Sequence, residues 1–198
     1  HSAPISEAVI KLEGTGTKNL TNNQKTNANG KAVWNGTAPS TEDKGWTVQA
    51  RYDGDSQYYS TDSSVKTYST VKHNVDLLIS VSNSKVPWGT PTSFTATLRD
   101  TSTGYTPIAG AAIQWDGTGA KGPSNQKTDA NGKSVWTGTA PSVLHTGWTV
   151  QAQYVGNAQY NFAESPVKIY STTPHSTFLS LVVSPSNAVV GNNYKVNG

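Results

Sequence analysis

Apolar and polar residues alternate along short stretches of this chain, and the stretches are cut by Gly, Pro, Asn and Ser. Between positions 73 and 174 the alternation predicts strands at about Asp76 to Val81, Thr92 to Arg99, Ala111 to Trp115, Gln126 to Thr128, Lys133 to Thr139, Trp148 to Tyr154 and Val167 to Ser171. Short strands at roughly ten-residue spacing describe a β-sandwich. Trp148, Val150, Ala152 and Tyr154 fall on one face of their strand and Thr149, Gln151 and Gln153 on the other, so the first set is expected in the core. Asn131-Gly132, repeated as Asn29-Gly30, is expected to form a type I′ hairpin turn with positive φ at both central residues.

The pattern occurs twice. Residues 26–70 match residues 128–172 at a constant offset of 102, with 28 of 45 positions identical. The shared text includes Gly36-Thr37-Ala38-Pro39-Ser40 with Gly138 to Ser142, and Gly45 to Ala50 with Gly147 to Ala152. The offset continues to the far end, where Val75 to Ser82 faces Thr177 to Ser184 and Gly89 faces Gly191. Three segments follow. Residues 1–72 form an incomplete repeat lacking its first two strands, 73–174 a complete repeat, and 175–198 the first strands of a further one. The expected fold is all-β, tandem sandwiches of about seven strands per repeat.

Composition narrows the class. A charged share of 14% leaves the polar half to Ser, Thr, Asn, Gln and Gly, which disfavours helical surfaces. Six Trp, nine Tyr and three Phe supply large apolar areas, so the polar chain is expected to fold. No Cys is present, which removes disulfides and thiolate metal sites. The net charge of +3 is spread without a basic run, so no nucleic-acid surface is expected. No apolar stretch is long enough to span a bilayer as a helix. The Lys-poor, Ser/Thr/Asn-rich surface suggests an extracellular or cell-surface location.

Candidate chemistry is sparse. The four histidines, His1, His73, His145 and His175, have no repeated carboxylate or Ser partner and are expected to be linker or surface residues, so no catalytic residues and no cofactor are assigned. Asp53-Gly54-Asp55 and Asp129-Ala130-Asn131-Gly132 place oxygen ligands at alternate positions, as calcium loops do, but Asx turns need the same residues. Each cluster loses charge in the other copy, where Val155, Asn157 and Asn27 stand, so no metal is assigned. Lys31/Lys133 and Lys66/Lys168 recur as candidates for a Lys-Asn isopeptide link, which requires burial that strand alternation does not provide. Trp34/Trp136 and Trp46/Trp148 recur on strands and read as core rather than a sugar platform, whereas Tyr58 and Tyr160 are expected near the surface. Asn19 and Asn35 stand in glycosylation sequons, so glycans are possible partners.

The segment Val48-Gln49-Ala50-Arg51-Tyr52-Asp53-Gly54-Asp55-Ser56-Gln57-Tyr58 resembles the V-x-A-x-Y-x-G-D-x-x-Y signature of bacterial and archaeal immunoglobulin-like surface repeats of the group 3 type. The openings at Leu77 to Ser84 and Leu179 to Ser186, with the turn at Val190-Gly191, are similar to the same family. The resemblance implies an immunoglobulin-like fold in a stalk, adhesin array, surface layer or enzyme appendage. Two strands alone at a terminus would expose Phe178, Leu179, Leu181, Val183, Val189 and Val190 and an unpaired edge. These residues are therefore the expected strand-exchange interface, completing the N-terminal unit of a neighbouring copy in a head-to-tail filament. The alternative expectations are a section of a longer tandem stalk or surface-layer protein, and a glycan-binding module.

Overall fold

The computed structural model describes residues 3–18, 20, 23–119, 122–123, 125–184 and 186–198. Among them are seventeen strands, one 3-10 turn (Thr15–Thr17) and no α-helix. The first unit holds β1 (Val9–Glu13), β2 (Gln24–Lys25), β3 (Asp43–Tyr52), β4 (Thr61–Asp62) and β5 (Lys66–Thr70). The second holds β6 (Val75–Val81), β7 (Lys85–Pro87), β8 (Pro91–Asp100), β9 (Thr106–Pro107), β10 (Ala112–Asp116), β11 (Gln126–Lys127), β12 (Lys133–Thr139), β13 (His145–Tyr154), β14 (Ala163–Glu164) and β15 (Lys168–Thr173). Last come β16 (Val182–Ser184) and β17 (Lys195–Asn197).

Residues 75–173 close an immunoglobulin-like β-sandwich. One sheet runs β12-β8-β6 with β9 beside β8, and the other runs β11-β10-β13-β15-β7 with β14 beside β13. The opening stretch of the unit is shared between the layers, β6 pairing antiparallel with β8 and β7 parallel with β15. Along β8 the period-two pattern turns Thr92, Phe94, Ala96 and Leu98 inward, to meet Val150, Ala152 and Tyr154 from β13. Trp148 is only partly buried, at the edge of that core. Each fully buried large side chain contributes roughly 1.5–3 kcal/mol.

Seven sequence-predicted strands match seven observed ones to within a few residues. The alternation missed β7, β9 and β14, which are two or three residues long and too short to show a period. The Asn-Gly turn also differs from expectation. Gly132 and Gly30 have φ of 72° and 71°, whereas neither Asn131 nor Asn29 has positive φ, so the turn is not type I′. Instead Asp129 Oδ1 accepts the amides of Asn131 and Lys133, each at 2.8 Å, and the turn carries the chain from β11 in one sheet to β12 in the other. A side chain at Gly132 would also run into the Leu98 carbonyl, 2.4 Å from an added Cβ.

The first unit is one layer of that design. Its sheet, β2-β1-β3-β4 with β5 on β3, repeats the second unit's register: Leu12 opposes Ala50 as Trp115 opposes Ala152, and the same bulge interrupts β3/β5 and β13/β15. Among the described residues no counterpart of β7 lies beside β5, and no strands cover this sheet as β6 and β8 cover the equivalent sheet in the second unit. Residues 31–37, nearly identical to β12, form no strand, and among the described residues the buried hydrophobic core lies in the second unit. Nearly identical text is thus a strand beside β8 in the second unit and not a strand in the first.

Hydrogen exchange reads this difference directly. In dilute solution the amides of residues 133–139 are expected to exchange about 100-fold or more slower than those of residues 31–37. Equal protection would show that the first unit's strand is paired in the isolated chain.

Candidate strand-exchange interface

The open face of the first unit is built by the same local rules as the closed one. Trp46 Nε1 donates to Thr70 Oγ1 at 2.9 Å, as Trp148 Nε1 does to Thr172 Oγ1 at 3.1 Å. Tyr68 OH donates to the Gly16 carbonyl at 2.9 Å, as Tyr170 OH does to that of Gly119 at 2.6 Å. These bonds fix the large side chains to the same neighbours in both units. The covering is what differs: Val150, Ala152, Tyr154 and Tyr170 are buried, and their counterparts Val48, Ala50, Tyr52 and Tyr68 are only partly so. Ala140 is buried and Ala38 exposed.

The far end of the chain carries the opposite half. β16 pairs antiparallel with β17, joining Val182 to Asn197 and Val183 to Val196. Shifted by 102 residues, these are the pairs Ser80 with Thr95 and Val81 with Phe94 between β6 and β8. The turn is copied too, since Asn192 N donates to the Val189 carbonyl at 3.0 Å as Thr90 N does to Pro87 at 3.2 Å, with positive φ at Gly191 and Gly89. The hairpin has the native register of a first-sheet opening without a sandwich to close. Leu77 is 1% exposed and its counterpart Leu179 86%; Ile79 is 6% exposed and Leu181 69%. Phe178, Val183, Val189 and Val190, the remaining residues assigned to this interface from sequence, are exposed as well.

At the start of the second unit, His73 has a partner that sequence reasoning missed. Its Nδ1 lies 2.6 Å from Oδ2 of the buried Asp100, and its ring meets Tyr160 edge-on at 5.6 Å between centroids. His73 also donates its amide to the Gln159 carbonyl and accepts from Asn161 N, so the linker is stitched to the loop before β14. Tyr160, expected near the surface, packs against the core instead. The signal was out of reach because Asp100 lies 27 residues away on a strand end. Burial pushes the Asp100 carboxyl up, but hydrogen bonds from His73, Thr103 and the Ser102 amide outweigh it and hold the group below its ordinary value.

The other acidic residues serve turns. Asp55 Oδ1 accepts the amides of Gln57 and Tyr58 at 2.7 and 2.9 Å, and Asn157 does the same for Gln159 and Tyr160, both at 2.8 Å. Asn27 likewise replaces Asp129, accepting from Asn29 and Lys31. A neutral amide oxygen suffices for each bond, which explains why charge is interchangeable between copies. Tyr52 OH donates to Asp55 at 2.7 Å, and that bond pushes the phenol up to about 12. Asp53 pairs with Lys11 and Arg51, whose hydrogen bonds pull its carboxyl down. Lys31, Lys66, Lys133 and Lys168 are exposed, away from the burial that an isopeptide link requires. Asn35 is exposed, and Asn19 lies outside the described residues. No group of three or more metal-ligating side chains occurs among the described residues.

No family model matches the chain, and no curated protein matches it. Among solved structures it is similar to the D0-D1 domain of Intimin, at 13% sequence identity and a TM-score of 0.37, over 85% of this chain and 84% of that one. The immunoglobulin-like assignment rests on the strand order of residues 75–173.

The Asp100 pair sets a pH dependence. A carboxyl held below its unfolded value stabilises the fold above about pH 4, and that contribution is lost as pH falls through the folded value. Thermal unfolding followed from about pH 7 to about pH 2 should therefore show Asp100→Asn less stable by about 1–2 kcal/mol at neutral pH, with the gap closing in acid. A gap independent of pH would remove the ionised carboxylate from the account.

Proposed function

We propose that this chain is a structural module of an extracellular or cell-surface assembly, in which immunoglobulin-like sandwiches are joined head to tail by strand complementation. The hairpin of residues 177–198 in one copy supplies the second layer of the N-terminal unit in the next. The carrying observation is the register of β16/β17, which equals that of β6/β8 although no sandwich surrounds it. A preformed hairpin lowers the ordering cost of docking. Leu179, Leu181 and Val196 then occupy the places of Leu77, Ile79 and Phe94, opposite Val48, Ala50 and Tyr68. Backbone pairing of β17 with residues 31–37 gives affinity and the alternate side chains give register. Because donor and acceptor surfaces differ, the contact is heterologous and propagates unless it closes a ring.

The evenly repeated 102-residue spacing also suits a second reading, a section of a longer covalent array serving as a stalk, adhesin or surface-layer spacer. There the same layers are completed by neighbouring residues of one polypeptide. The resemblance to surface repeats supports the exterior location in both readings, and exposed Asn35 is a place for a glycan. Intact mass of the native protein separates the two, since an array extends beyond these 198 residues.

Sedimentation across a concentration series tests complementation. Species at multiples of 21.0 kDa are expected to grow with concentration, and Leu181→Asp, which alters a side chain already exposed in the free chain, should weaken association about 100-fold or more. A folded chain that stays at 21.0 kDa at every concentration overturns the reading.

A further inference from the structure

A groove of about 510 Å³ lies where the two units meet, lined by residues 37–42 and 69–73 of the first unit and linker and by Ala158 and Gln159 of the second. Its lining has an occupied counterpart. In the complete sandwich the positions equivalent to Ser69, Thr70 and Val71 are Ser171, Thr172 and Thr173, which pair in parallel with Lys85, Val86 and Pro87 of β7. Ala38 corresponds to Ala140, which donates to the Thr90 carbonyl at 2.9 Å and accepts from Gly89 N at 3.0 Å. Ser171 N donates to the Ser84 carbonyl at 2.9 Å, and Trp88 N to that of Thr173 at 3.0 Å. His175, the counterpart of His73, places Nε2 3.0 Å from the Trp88 carbonyl. Every group needed to hold a β7 is thus repeated around the groove.

We propose that this groove is a second docking site, distinct from the open sheet face, and that its occupant is the segment 186–192 of another copy of the chain, running parallel to β5 and Val71. The proposal rests on the complementation reading and adds a contact on the opposite sheet. Ala188 enters at the inward position of the buried Val86, and being smaller it fits without displacing Thr70. Val190 N donates to the Val71 carbonyl and Gly191 N to that of Ala38, while Ala38 N donates to the carbonyl of Asn192 and Ser69 N to that of Ser186. The Val190 carbonyl comes to His73, whose other ring nitrogen is already committed to Asp100. One incoming chain therefore grips both layers, with β16/β17 supplying the covering layer and 186–192 extending the existing sheet beside β5.

The chain has no Cys, so a thiol pair reports the contact cleanly. Val71 and Val189 become directly opposed, and both are exposed in the free chain, at 76% and 71%, so replacing them leaves the core untouched. Val71→Cys and Val189→Cys are placed in separate chains, mixed and oxidised, with Val71→Cys plus Lys195→Cys as the off-register control, and sedimentation is followed in parallel. The matched pair is expected to form the disulfide-linked two-chain species at least about tenfold faster than the control, because only opposed residues satisfy disulfide geometry. Association without faster linkage overturns the groove site and leaves complementation standing. Absence of both association and linkage overturns the two together.

Discussion

The ring of Phe94 on β8 reaches across the sandwich into an aromatic pocket: stacked on Trp136 at 4.9 Å, edge-on to Tyr170 at 5.5 Å and tilted to Trp115 at 6.4 Å. These contacts join both sheets through one side chain, and the strand that carries it also pairs with β6 and β12. Removing β8 therefore removes the pairing of one layer and the apolar cover of the other together. In the first unit the counterparts Tyr68 and Leu12 are only partly buried. The requirement is physical rather than specific to Phe, since any apolar strand in that register removes the same surface from water. Val196 is the residue the repeat brings to that point.

Much of this could be read from the sequence because two copies lie side by side. The constant offset exposed the repeat, and strict alternation in Thr92 to Arg99 and Trp148 to Tyr154 marked the two strands that build the core. Shorter pieces were silent. Lys85-Val86-Pro87 is too brief to alternate and contains a proline, yet its parallel pairing with β15 is what links the unit's opening stretch to its last strand. The His73 to Asp100 pair was hidden by distance along the chain, and the Asn-Gly turn misled because its capping comes from Asp129, two residues earlier. Local pattern reports which residues share a face; it does not report which distant groups meet at an edge.

The comparison of copies also separates what the fold demands from what it tolerates. Gly117 and Gly14 keep positive φ where an added Cβ would strike the backbone carbonyls of Thr149 and Thr47, at 2.1 and 2.3 Å. Neither can be exchanged. Asp and Asn interchange freely at turn caps, where only an acceptor oxygen is needed. Backbone geometry at the glycines, and not charge at the acids, is the invariant of the unit.

The parallel pairing of β7 with β15 has a mechanical meaning. These strands lie near the entrance and exit of the unit, so a pull along the chain draws β7 back while drawing β15 forward. Their hydrogen bonds are then strained together in shear, not opened one at a time as at the end of an antiparallel hairpin. In the complete sandwich that resistance is carried by a short ribbon of three opposed residue pairs.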